Sequence, residues 1–235
     1  MTTTEQATTV DEVIQRMREI DAALEPADGI ACFNRMYLKV TELVKQNLTE
    51  GFFADGPFIE RMDVIFANLY LANIDADAAG RAVNAAWRPL FDARSNRTIW
   101  PVQFALAGMN AHINHDLALS VIDTCVERHT TPDTPPVHDD YQKVNDLLAS
   151  AEAEVRAEFE PQIVRVPTES AEPLKHIVSS FSIETARNTA WGTVQSLWPQ
   201  RNNPLTYRPA TAALAQNTGL ASTLLLTPVI PPPAD

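Results

Sequence analysis

One stretch limits what this chain can fold into: residues 100–128, WPVQFALAGMNAHINHDLALSVIDTCVER. Ala, Leu, Ile and Val recur on nearly every side of it, so a helix built from it has no face left for water. Such a helix belongs at the centre of a bundle. Its middle nevertheless carries Asn110, His112, Asn114, His115 and Asp116. An unpaired polar group in that setting costs roughly 2–7 kcal/mol. Each of these residues therefore needs a partner or a chemical use.

The flanking sequence supplies the bundle. Thr9 to Glu12 fits a capping box, and the helix it opens stops at Pro26. A second helix spans about residues 29–48, with Gly51 beyond it as a stop signal. Pro57 starts a third, with Phe58, Met62, Ile65, Phe66 and Leu69 turned inward and Asn68 and Tyr70 among them. Asp75 and Asp77 read as the opening of a fourth, running through Ala85 and Ala86 to Trp87 and ended by Pro89 near Arg94.

The Pro- and Thr-rich stretch 130–138, TTPDTPPVH, reads as a surface loop inside one domain, because the amphipathic run after it needs a partner surface. That run, residues 139–159, is acidic on one side. A short helix over 173–180, a Ser182-capped helix to Trp198 and a last one over 209–226 complete the chain. No alternating strand pattern and no repeat competes. The expectation is all-α: an irregular single-domain bundle of about eight or nine helices around the buried helix 100–128. Residues 1–8 are expected to be disordered, 9–226 to form the domain, and the Pro-rich 227–235 to lie extended.

Charge and composition remove several function classes. A net charge of −12 argues against nucleic acid and against an anionic membrane surface. No apolar run approaches the ~18 residues a spanning helix needs. The start, MTTTEQATT, lacks a basic region followed by an apolar one, which points to a cytoplasmic protein. Cys32 and Cys125 read as buried free thiols. Seven glycines leave little material for a phosphate cradle, and no dinucleotide fingerprint is present.

At about 100° per residue, His112 and Asp116 lie one above the other on the central helix. Asn110 and Asn114 form a second row, and His115 sits about 60° round from His112. A buried His–Asp pair can exchange protons. Burial raises the carboxyl pKa and an imidazolium lowers it, so Asp116 could act as acid or as base. The pair could also be purely structural, each satisfying the other, and the two Asn are suited to pinning helices together. A metal held by His112, His115 and Asp116, with His138 or Asp139 as a further ligand, is the sharper rival, although the zincin spacing is absent. No G-x-S-x-G elbow supports a serine nucleophile, and Cys125 is too far along the helix to pair with His112. Arg35, Tyr37, Tyr141, Asn145 and Arg187 are further polar candidates on apolar helices, and the aromatics are mostly core.

The segments QFALAGMNAHINHDL (103–117), FNRMYLKVT (33–41), FANLYL (66–71), WRPLF (87–91), DYQKVNDLL (140–148) and ARNTAW (186–191) resemble an actinobacterial all-helical family carried as a domain of unknown function. The likeness covers about residues 29–198, and NAHINHDL is its specific core. Within that family the chain resembles the spiroacetal cyclases of macrolide polyketide pathways, of the ossamycin and oligomycin type. The resemblance implies closure of a polyketide dihydroxyketone, or its hemiacetal, to a bicyclic acetal with loss of water and without metal or organic cofactor. It implies that Asp116 is the acid/base, that His112 tunes it, and that Asn110, His115, Tyr37, Arg35 and Tyr141 position an apolar polyketide. The competing expectations are a metal-dependent hydrolase using His112, His115 and Asp116, and a non-catalytic pathway partner that binds the same ligand.

Overall fold

Thr9 opens α1 (Val10–Ala23) by accepting the Glu12 N–H at 3.2 Å. The return half of the capping box goes one residue further back. Glu12 Oε2 takes the backbone N–H of Thr8 at 2.6 Å and its hydroxyl at 2.8 Å. Ala7 is buried, and the Asn68 amide holds both its N–H (3.0 Å) and its carbonyl (2.8 Å). The expected fraying of residues 1–8 is therefore corrected at Ala7 and Thr8: a side chain from α3 satisfies a peptide that water would otherwise hold. The computed structural model describes residues 6–148, 172, 174, 176, 179, 181–229 and 232.

Asp28 caps α2 (Gly29–Thr49) through the Ile30 N–H at 2.8 Å, and Asp55 caps α3 (Gly56–Ala78) through the Phe58 N–H at 3.0 Å. Asp75 and Asp77 lie in the last turn of α3, so the helix expected to start there does not. Gly80, at φ 65°, ends α3 instead, with the Arg81 N–H returning to the Ala76 carbonyl at 2.8 Å. Residues 81–84 are irregular, and a short α4 (Arg88–Ala93) follows Trp87.

The central stretch is continuous but not uniform. It is built of α5 (Pro101–Ala111), a π-helical segment (His112–Asp116) and α6 (Leu117–Glu127). α5 packs on α2 so closely that a Cβ on Gly108 would come within 2.4 Å of the Phe33 ring. α5 also packs on the last helix, while α6 packs on α3 and on the Ser182-capped helix.

The expected loop 130–138 is shorter, ending at residue 136, and leads into α7, described over 137–148. Asp140 of α7 accepts the Ala54 and Asp55 N–H groups at 3.0 and 2.6 Å, which ties this part of the chain to the α2–α3 corner. The acidic face expected on 149–159 lies outside the described residues. Ser182 caps α8 (Ile183–Leu197) as expected, with a 3-10 turn over Trp198–Gln200. α9 (Pro204–Leu225) begins before residue 209, because Asn203 caps it and Pro204 fits its first turn. The Gln103 amide holds the carbonyls of Leu225 and Thr227 at 2.8 and 2.9 Å, closing the end of α9 onto α5. Among the described residues there is no strand, and no helix is long and apolar enough to cross a membrane. The molecule is an all-α single-domain bundle around the central stretch.

Candidate functional site

The π segment coincides with the polar run His112-Ile113-Asn114-His115-Asp116. In a regular helix, neighbours in sequence do not face one another. Here the wider turn brings His115 as well as His112 onto Asp116, a pattern associated with functional sites. His112 Nδ1 lies 2.9 Å from Asp116 Oδ2, and His115 Nδ1 lies 2.6 Å from Asp116 Oδ1. The Trp87 indole N–H, from just ahead of α4, donates to Oδ2 at 2.9 Å. All four side chains are buried, Asp116 to 1% exposure.

A carboxylate is acceptor-only, so each imidazole bound to it presents Nδ1–H and leaves Nε2 free. Burial pushes the Asp116 carboxyl up, but the two imidazole hydrogen bonds and their charge pull it down, and the net position is below the usual carboxylate range. Burial lowers His112 against the opposing pull of Asp116, leaving it below an ordinary imidazole.

Aromatic faces enclose the His112 ring. Phe66 stacks on it at 3.4 Å between centroids and 9° between planes. Tyr37 meets it edge-on at 4.4 Å, with Phe33 and Trp87 each at 5.8 Å. Within this layer, His112 Nε2, Tyr37 Oη and the nearby Asp63 Oδ2 are buried without a hydrogen-bond partner.

Other expected site residues lie elsewhere. Asn110 donates to the Thr218 carbonyl and to Ser222 Oγ, both at 2.9 Å, and accepts from Asn114 at 3.0 Å. Its amide is engaged in joining α5 to α9. Arg35 turns to the α1–α2 corner, bonding Asp21 at 3.3 Å and the Pro26 carbonyl at 2.7 Å. Tyr141 belongs to a second cluster between α7 and α8. Its hydroxyl donates to the Arg187 carbonyl at 2.7 Å, Arg187 returns a bond to the Tyr141 carbonyl at 2.8 Å, and Arg187 also bonds Asn145. The expected set thus divides: His112, His115, Asp116 and Tyr37 are brought together, while Asn110, Arg35 and Tyr141 serve other interfaces.

Residues 10–228 match a family described as a family of unknown function, DUF5995. The chain belongs to that family. The matched span contains Trp87, the π segment and the aromatic layer. No curated protein and no solved structure matches the chain.

A metal shared by His112, His115 and Asp116 was the rival expectation; both Nδ1–H groups are turned to the carboxylate, and only the Nε2 lone pairs remain for a metal. Among the described residues no cluster of His, Cys, Asp or Glu is placed to hold one. His138 is exposed and pairs with Gln142 at 3.0 Å. Cys32 and Cys125 are buried free thiols, pushed up by burial to about 11 and about 12.

Three residues were missed in this role from sequence. Trp87 reads as core, and nothing in WRPLF marks its N–H as a ligand of Asp116. Phe66 reads as an inward apolar residue, not as the ring on His112. Asp63 carries a faint signal: a carboxylate in the run MDVIFANLYL, at helical spacing from Phe66 and Tyr70.

Proposed function

We propose that the chain is a cofactor-free dehydrative cyclase that closes a spiroacetal on a polyketide dihydroxyketone or its hemiacetal. The observation that carries the reading is one buried carboxylate with an imidazole Nδ1 on each oxygen, at 2.9 and 2.6 Å. The polyketide class rests on the resemblance around NAHINHDL. The reducing cytoplasm proposed as its location suits the two unpaired thiols.

Ring closure with loss of water removes a proton from the attacking hydroxyl and delivers one to the departing hydroxyl. One carboxylate, one neutral imidazole and one imidazolium sum to no net charge, which is the least costly way to bury such a set. That protonation state holds one acid and one base together. Three donors leave Asp116 little capacity for substrate, so proton exchange passes to the imidazole Nε2 atoms. His112, lowered by burial, takes the base role and leaves the donor role to His115. Asp116 keeps both rings in the required tautomer and sets a fixed negative charge beside the oxocarbenium ion. The Phe66 and Tyr37 rings packed around His112 exclude water that would intercept the cation.

The test is the rate of spiroacetal formation from a synthetic dihydroxyketone, measured against buffer at the same pH. Asp116→Asn is expected to lower that rate by about 10²–10⁴ while the helical circular-dichroism signal stays. An Asn variant of unchanged rate would remove Asp116 from the chemistry. Product forming no faster than in buffer would leave a binding protein, and activity lost to a chelator would favour the metal-dependent hydrolase.

A further inference from the structure

Three buried polar atoms without a hydrogen-bond partner fall on one interface, where α2, α3 and the π segment meet: Tyr37 Oη, Asp63 Oδ2 and His112 Nε2. An unmade buried hydrogen bond is costly, so three at one place point to a use. The helix register explains how they come together. α2 and α3 are antiparallel: Tyr70 Oη donates to Asn34 at 3.2 Å, and one turn on, Tyr37 meets the Phe66 ring at 5.8 Å. A further turn along the same register sets Asp63 against Tyr37 and Thr41. Among charged groups, Asp63 acts on the Tyr37 phenol more strongly than Asp116 does, and the Thr41 hydroxyl lies beside that phenol. Thr41 gives its own proton to the Tyr37 carbonyl at 3.0 Å, so its hydroxyl does not donate to the phenol. On the other side, the Tyr37 ring is 4.4 Å from the His112 ring.

We propose that His112, Tyr37 and Asp63 form a buried proton route that resets the base after each turnover, with Asp63 as its outer end. The use of the route rests on the cyclase reading; its existence does not. After ring closure His112 carries the proton taken from the attacking hydroxyl. The three atoms are not hydrogen-bonded to one another at rest, so each transfer needs a small shift of the Tyr37 side chain: His112 Nε2 then passes that proton to Tyr37 Oη, and the phenol proton moves to the Asp63 carboxylate. Phenol and imidazole return to neutral, the carboxyl holds the proton, and His115, which gave its proton to the departing hydroxyl, takes one back from solvent. Asp63 is 7% exposed, so the proton then has a way to solvent.

The surroundings of Asp63 suit a group that both takes and releases a proton. Burial, with Glu60 on its own helix, pushes its carboxyl up to about 7. α1 brings the apolar Val10 and Ile14 against neighbouring Val64. On α2, Lys45 is committed to Asp11 and Glu42 to Arg18, leaving Tyr37 as the titratable group that faces it. On α6, Glu127 is bound to Arg61, and Asp123 sits by Tyr207 of α9. In the π segment, His112, His115 and Asp116 hold one another.

Two measurements on the full chain test the route. Carbon-13 carboxyl NMR, with no substrate present, is expected to show Asp63 titrating near neutral pH and its midpoint moving in Tyr37→Phe and in His112→Gln. An Asp63 carboxyl that titrates near 4, or one that neither variant moves, overturns the route whatever the protein catalyses. With substrate, Asp63→Asn is expected to keep the single-turnover rate and to lower the multiple-turnover rate at least about tenfold, with rescue by added azide or formate as small proton carriers. A structural role would not be rescued. Equal losses in both rates, without rescue, overturn the resetting function. Absence of any turnover, with the NMR coupling intact, ends the cyclase reading and leaves the proton route standing.

Discussion

Two of the buried aspartates, Asp116 and Asp63, are solved in opposite ways. Asp116 is 1% exposed and receives N–H groups from Trp87, His112 and His115. Asp63 is 7% exposed, pairs with no cation among the described residues, and leaves Oδ2 without a donor. Burial raises both carboxyls. At Asp116 the imidazole hydrogen bonds and their charge overcome it; at Asp63 nothing does, and the group rises to about 7. Depth therefore does not set the charge state here. The donors do, and they are concentrated where the proposed chemistry needs a permanent anion.

The hardest test of that contrast removes the anion. Asp116→Asn leaves an amide whose oxygen can serve one imidazole and whose NH2 must face the Nδ1–H of the other. The loss in unfolding free energy at pH 7 is expected to be about 3–5 kcal/mol, as for other buried pairs broken on one side. Urea denaturation reads it directly, and a variant as stable as the native chain would mean that the carboxyl is not ionised.

The two groups also predict opposite pH slopes. Asp116 has a folded pKa below its unfolded value. Its contribution is present above the unfolded value, ~3.9, and is lost as pH falls through the folded one. Asp63 is the reverse: its contribution is complete below ~3.9 and is lost as pH rises through the folded value. Across that rise, ending near 7, the native chain should lose on the order of 4 kcal/mol from this one group. Asp63→Asn should abolish the decline, making the variant more stable than the native chain at pH 8 and no more stable at pH 4. Parallel stability curves would show that Asp63 ionises without penalty.

Trp87→Phe takes one donor from Asp116 and keeps a ring in place. About 1.5–3 kcal/mol should be lost with a hydrogen bond to a charged group. The acid edge of stability should move to higher pH, since the carboxylate is then less favoured. Were that edge unmoved, the indole would be a packing element only.

Part of this contrast was legible in the sequence. The spacing of His112 and Asp116 places them on one face of any helix, and the apolar flanks require that face to be buried. The Asn110–Asn114 row was legible too, as a fastening that turned out to hold α9. His115 was not, because a regular helical wheel sets it off the shared face, and only the π turn brings it onto Asp116. The end of α3 was misplaced for a related reason: Asp75 and Asp77 resemble a helix start, but Gly80 at positive φ, about one turn further on, decides the matter. Asp63 and Trp87 depend on which helices pack together, and no local pattern carries that information. The fold class survives such errors because it rests on many apolar positions, whereas a site rests on a few atoms.

The smallest effect should come from Gly108→Ala, and it separates the two aspartates most cleanly. The added methyl would sit 2.4 Å from the Phe33 ring, so Phe33 must turn or α5 must back away from α2. Overpacking of this kind costs about 1 kcal/mol or somewhat more. Phe33 stands edge-on to Trp87 at 5.2 Å and to His112 at 5.8 Å, so its displacement reaches a donor of Asp116 and one of the two rings Asp116 holds. Asp63 lies at the far end of the α2–α3 contact, beyond Tyr37. The expected pattern is a slower single turnover with an unmoved Asp63 midpoint in carboxyl NMR. If both change together, the aromatic layer transmits strain as one block, and the two carboxyls are less independent than their hydrogen bonds imply.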